Sequence, residues 1–198
     1  PDTAALVVHP LDPRMGRARQ ACAAVGTLMI ADETGIGPCI TGRVFAIEHL
    51  EIRPDLYVLG RGWAAGLPFG ACITGSSKLH WNSPIRAGDP AACAAALELI
   101  RLLGTGLLNR AAQLGVVLDS GLARPGSAEG AVRAIGRGLF WSIILSSGRT
   151  QADSFVARCA RAGLLLLKTG PSTVGVRPPL IVDDSDVAAA INIINGVL

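Results

Sequence analysis

Charge is scarce in this chain. Of its 198 residues 17% are Asp, Glu, Lys or Arg, against roughly 25% in an average soluble domain. Half of the residues are hydrophobic, so the low charge points to a large core, an extensive subunit interface, or both. Long apolar runs are missing too. Stretches such as Leu139–Leu145 and Leu164–Leu167 have the length of buried strands and fall short of the ~18 residues that suggest a membrane span. No basic-then-apolar leader opens the chain, so no secretory signal is expected.

Aromatic residues are few, with a single Tyr, and a net charge of +3 is spread over scattered arginines. Without a basic stripe interleaved with aromatics, nucleic-acid binding is excluded as an expectation. Cys22, Cys39, Cys72, Cys93 and Cys159 are odd in number and form no CxxC pair. Reduced, mostly buried thiols in the cytoplasm are the expected state. His49 and His80 have no second ligand at metal spacing and are expected to pack or lie on the surface, so no metal site is read. Only two lysines, Lys78 and Lys168, stand against sixteen arginines, which leaves few amines for covalent chemistry.

The patterning that is present alternates strands with helices. Ala4–Val8, Thr27–Ala31 and Leu56–Leu59 read as buried strands, with Gly70–Thr74 as a further one and Gly16–Val25 as a helix. Such alternation predicts a mostly parallel sheet with helices on its faces. Asp89-Pro90 predicts the start of a long helix to Leu103, because Asp accepts free amide protons and Pro lacks one. A second helix is expected over Leu107–Ala123. Strands follow at Ala131–Ile135, Leu139–Ser146 and Leu164–Leu167, with a helix at Gln151–Ala162 and a last one, Val187–Ile194, capped by Ser185. A boundary near residue 104 divides a first domain, 1–103, from a smaller α+β domain, 104–198.

Chemistry concentrates where strands end. Asp32 ends the second strand, and Arg61 sits in the turn Leu59-Gly60-Arg61-Gly62 after the third. The spacing Gly60-x-Gly62-x-x-x-Gly66 invites a dinucleotide reading. That pattern needs a helix opening in the loop and an acid about 20 positions later; Pro68 and Gly70 break any helix, and residues 78–86 hold no acid.

From Thr27 to Ile73 the chain resembles the cofactor half of a class III aminotransferase that uses pyridoxal phosphate. Ile30-Ala31-Asp32-Glu33, Thr41-Gly42-Arg43-Val44-Phe45-Ala46-Ile47-Glu48-His49, Pro54-Asp55 and Gly66-Leu67-Pro68-Phe69-Gly70-Ala71 carry the resemblance. The segments Asp89-Pro90-Ala91-Ala92, Gly136-Arg137-Gly138-Leu139 and Arg177-Pro178-Pro179-Leu180 extend it to most of the chain. It implies the fold of fold-type I pyridoxal phosphate transferases, α/β, in truncated form. By resemblance, Asp32 would pair with the cofactor's pyridine nitrogen and keep the ring an electron sink.

The departures are as specific as the match. Where the family carries the lysine that binds the cofactor covalently, this chain has Arg61, whose guanidinium stays protonated and forms no imine. Thr34-Gly35 stands where a glutamine is usual, and Ser83-Pro84-Ile85-Arg86 lacks the phosphate-binding threonine. The small-domain arginine for a substrate carboxylate falls at or near Gly175, with Arg177 close by. His9 stands where glutamate is usual. The first half of the family's large domain has no counterpart in this sequence.

Arg61 can fill the vacated pocket and pair with Asp32 in bidentate fashion, or hold an anion. Three functions remain open at this point. One is a degenerate, non-catalytic domain acting through association with an aminotransferase-like or fused partner as a homo- or hetero-oligomer, with no cofactor in the isolated chain. Another is an aminotransferase acting on a 2-oxo acid, completed by a partner chain. The third is a small-anion binding module around Arg61.

Overall fold

The computed structural model describes residues 2–75, 88–122, 133–145 and 151–198. Contacts divide the chain into two compact units, Pro1–Cys39 with Arg43–Gly106, and Ile40–Gly42 with Leu107–Leu198. The division thus falls after Gly106, and the short Ile40–Gly42 segment joins the second unit.

The first unit holds strands β1 (Ala5–Val8), β2 (Leu28–Asp32), β3 (Leu56–Leu59) and β4 (Ala71–Thr74) in that spatial order. β1, β2 and β3 run parallel, and β4 pairs antiparallel with β3. Parallel neighbours need a crossover, which helix α1 (Met15–Val25) supplies between β1 and β2. The helix stops at Gly26, whose φ of 74° is the left-handed cap that glycine adopts without a Cβ penalty. Val8, Cys22, Met29, Ala31 and Ile47 form the core under this sheet.

One carboxylate ties these pieces together. Asp55 accepts hydrogen bonds from the Met29 amide at 2.8 Å and the Arg19 guanidinium at 2.7 Å. Burial raises its pKa, but those bonds outweigh it and hold the carboxyl below its ordinary value.

Helix α2 (Pro90–Leu102) begins as its sequence requires: the Asp89 carboxylate accepts the Ala92 amide proton at 2.9 Å, with Pro90 at the first helical position. Its small residues Ala92 and Ala96 are buried against Ala64. Leu97 and Ile100, by contrast, are 70% and 52% exposed.

The helical path continues to Leu122, and its 33 residues, at a mean hydropathy of 1.6, are long and apolar enough to cross a membrane by length and composition. No single run in the sequence suggests this. Gly106 interrupts the path with a φ of 114°, leaving helices of 13 and 15 residues, each short of the ~20 a span requires.

The second unit contains α3 (Leu108–Leu122), β5 (Arg133–Arg137), β6 (Phe140–Ile144), α4 (Gln151–Arg161), β7 (Leu167–Gly170), β8 (Thr173–Val176) and α5 (Asp184–Val197). Its sheet has the order β5-β6-β8-β7, antiparallel throughout. Leu114, Leu118, Leu139, Trp141, Ile143, Phe155, Val174 and Ile194 are buried in one core between helices and sheet.

Two expectations need correction here. The strand read at Leu164–Leu167 begins only at Leu167, because Leu164 and Leu166 pack against the core from a connecting segment. The last helix is capped by Asp183, which accepts the Asp186 amide proton at 2.8 Å. Ser185 lies in the first turn and donates its hydroxyl to Asp183 at 2.7 Å.

Gly138 turns the chain between β5 and β6 at a φ of 55°, and a Cβ there would lie 2.4 Å from the carbonyl carbon of Thr41. Gly138→Ala adds a left-handed conformational cost of roughly 1–2 kcal/mol to an overpacking cost of about 1–3 kcal/mol. The variant is expected to lose about 2–5 kcal/mol in urea unfolding; a midpoint equal to that of the parent protein would refute this account of the turn.

Candidate functional site

β2 and β3 end side by side, with Asp32 in register with Val58. Two loops leave these ends and meet. Thr34 and Gly37 come from the first loop, Gly60 and Gly62 from the second. A Cβ on Gly60 would lie 2.9 Å from the Thr34 carbonyl oxygen, and one on Gly62 would lie 3.1 Å from the Gly37 Cα. A side chain at Gly60 would force the loops to shift, and one at Gly62 would press on Gly37 by a few tenths of an ångström. Arg61 is the residue between them and opens a short 3₁₀ turn, Arg61–Ala64.

The turn is held from behind. Trp63 and Ala64 are buried, the Trp63 ring stacks at 5.3 Å on Phe45, and Phe45 lies 4.6 Å from Tyr57. Ala64 packs on Ala92 and Ala96 of α2, joined by Phe69. The result is an open pocket of about 750 Å³ lined by residues of both loops, among them Thr34, Val58, Arg61, Pro68 and Phe69.

Glu33 was not singled out in the sequence, yet it is the best-buried acid near the site, at 3% exposure. Its carboxylate accepts the amide protons of Ala46 at 3.1 Å and Ile47 at 3.0 Å, two of the free donors opening the 3₁₀ turn Ala46–Leu50. Burial pushes its pKa above the ordinary glutamate value, against the pull of those two donors. Glu33 thereby locks the loop that carries Thr34 to Gly37. Its only signal in the sequence is an acid beside Asp32 at a strand end.

The Asp32 carboxylate accepts both the amide proton of Thr34 at 3.0 Å and its hydroxyl proton at 2.6 Å. No ion pair joins Asp32 to Arg61. Arg61 is exposed at the pocket, and among the described residues its guanidinium makes no hydrogen bond or ion pair. The bidentate pairing envisaged from the sequence is therefore not formed, because Thr34 takes the carboxylate first through a short local turn.

Arg177 belongs to the second unit and is committed elsewhere. It donates to the carbonyls of Trp141 and Val176, the latter at 2.9 Å. Its guanidinium lies 3.5 Å over the Phe140 ring. Burial lowers its pKa to about 10, so it remains a cation at neutral pH. A Cβ at Gly175 would lie 3.5 Å from this guanidinium, so Arg177 occupies the space beside Gly175.

His9 accepts the Leu11 amide proton on its Nδ1 at 3.3 Å at the end of β1. Among the described residues no cluster of His, Cys, Asp or Glu is fit to hold a metal. His80, Lys78 and Ser83-Pro84-Ile85-Arg86 lie outside the described residues.

These side chains do not fit a covalently held pyridoxal phosphate. Such attachment needs a neutral amine, and Arg61 offers a guanidinium. Lys168 lies in the second unit, where its Nζ is paired with the Asp153 carboxylate at 2.7 Å. Among the described residues none supports a chemical step through the cofactor.

Removing the Glu33 carboxylate strands two amide donors under the pocket wall. Glu33→Ala is expected to cost about 2–4 kcal/mol, at roughly 1–3 kcal/mol per buried unpaired donor with partial relief by water. Hydrogen exchange at Ala46 and Ile47 should accelerate with it. Unchanged exchange at both amides would sink the locking role.

Residues 4–198 match the family model described as aminotransferase class-III. The chain is 34% identical over 212 residues to acetylornithine aminotransferase of Gloeobacter violaceus, covering 98% of this chain and 52% of that protein. It is 34% identical over 201 residues to the acetylornithine aminotransferase of Mycobacterium leprae, covering 97% and 48%. Among solved structures, the ornithine aminotransferase of Toxoplasma gondii superimposes with a TM-score of 0.85 at 28% identity, covering 98% of this chain and 51% of that one. The chain thus spans about half the length of the curated relatives it matches. With a family match over nearly its whole length and the α/β fold of fold-type I pyridoxal phosphate aminotransferases, this chain belongs to the class III aminotransferase family.

Proposed function

We propose that this chain is a non-catalytic class III aminotransferase-like domain that acts by association with a partner polypeptide, either a separate chain or a fused segment. The observation that carries the proposal is Arg61, placed between Gly60 and Gly62 at the pocket where the family resemblance implies a lysine. Apolar exposure supports the association. Val7 on the edge strand β1 is 62% exposed, as Leu97 is at 70% on α2. An unpaired strand edge beside apolar surface favours a covering polypeptide. All five cysteines are free thiols, which accords with the reducing cytoplasm we assign to it.

The family match over residues 4–198 favours a second reading. A partner chain would then complete a pyridoxal phosphate aminotransferase that transfers an amino group to a 2-oxo acid, with an unconventional amine or one that the partner supplies.

Cofactor chemistry separates the two. Incubation with pyridoxal phosphate, borohydride reduction and peptide mapping should give no stoichiometric adduct on the isolated chain. A stoichiometric label on Lys78 or Lys168 would overturn the non-catalytic reading. Arg61→Lys alone is expected to leave transamination undetectable, since residues that act as a unit fail together; measurable turnover by that variant would mean the pocket is otherwise complete.

Association has its own measurement. Sedimentation at low micromolar concentration is expected to show a dimer or larger species, or tight capture of an aminotransferase-like chain, with at least ~1,200 Å² buried. A monodisperse 20.4 kDa species that binds no other chain would remove the proposal.

A further inference from the structure

We infer that the pocket around Arg61 binds a small monocarboxylate with an apolar body, non-covalently and independently of any association between chains.

Arg61 differs from the other arginines whose bonds are described. Arg14, Arg19, Arg101 and Arg110 each pair with an acid, and Arg177 is bound to carbonyls and an aromatic ring. Arg61 alone of these lines a pocket with its guanidinium uncommitted. Its backbone is fixed by the glycine contacts on either side, so the charge starts from a rigid base. A planar fork of donors on such a base matches a planar carboxylate through two parallel hydrogen bonds.

The charge balance selects a monoanion. Among the described residues Arg61 is the one cationic side chain lining the pocket. Asp32 sits in register with the lining residue Val58, about one strand spacing (~5 Å) away. Its negative charge opposes a dianion such as phosphate more than a singly charged carboxylate.

The lining selects an apolar body. Val58, Pro68 and Phe69 contribute apolar surface. The Thr34 hydroxyl, the polar lining group nearest the strand end, already donates to Asp32. About 750 Å³ leaves room for a ring beside the carboxylate, in the size range of small-molecule sites.

The test is a titration of the full chain with benzoate, acetate and inorganic phosphate at constant ionic strength, read by amide NMR. Benzoate is expected to shift the lining glycines Gly35, Gly37, Gly60, Gly62, Gly66 and Gly70 saturably. Acetate, without the ring, should need at least about tenfold more ligand, and phosphate should not compete. Arg61→Gln should weaken benzoate by about tenfold or more, as loss of charge-assisted hydrogen bonds implies, while leaving the remaining spectrum in place. Benzoate binding that leaves these glycines unmoved, that survives Arg61→Gln unchanged, or that phosphate matches would overturn the assignment.

Discussion

The close contact of two backbones is the constraint on which the site depends. The loop after β2 and the loop after β3 approach so nearly that a Cβ on Gly60 would collide with Thr34 and one on Gly62 would press tightly on Gly37. Everything else around the pocket serves that contact. Glu33 fastens one loop from below through the Ala46 and Ile47 amides. Trp63, Phe45 and Tyr57 support the other through a stacked and a tilted ring contact, and the alanine face of α2 backs the turn. The side chain at position 61 is therefore presented to the pocket whatever its chemistry.

Two arginines illustrate how context decides what a cation does. Arg177 is partly buried, and its positive charge persists because carbonyl oxygens and the Phe140 face replace the water it loses. Its fork is thereby used up in structure. Arg61 is exposed, and Asp32, the acid proposed from the sequence as its partner, is satisfied by Thr34 two residues away. A local bond of this kind needs little loop ordering, whereas pairing with Arg61 would demand that a long side chain be fixed in one geometry.

Much of the first unit was legible from pattern alone. β-branched and apolar runs marked β1, β2 and β3, and Asp89-Pro90 marked the start of α2, because capping and hydrophobic burial act over a few neighbouring residues. The second unit was read less well. The Leu164–Leu167 run looks like a strand, but only its last residue enters one, since Leu164 and Leu166 gain their burial from a connecting segment against the core. Ser185 looks like a cap, yet Asp183 reaches the free amide and Ser185 donates to it.

The sequence by itself determined the family resemblance, the alternation of strands and helices, and the presence of an arginine at position 61, where that resemblance implies a lysine. These follow from residue identity and local periodicity. Tertiary structure alone decided that Arg61 stands free of Asp32, that Arg177 is held by Phe140 and backbone carbonyls, and that Glu33 is a buried lock. Each of those outcomes depends on which of several competing groups, near or distant in the chain, comes within hydrogen-bond reach, and that choice is set by the packing of loops rather than by any pattern along the chain.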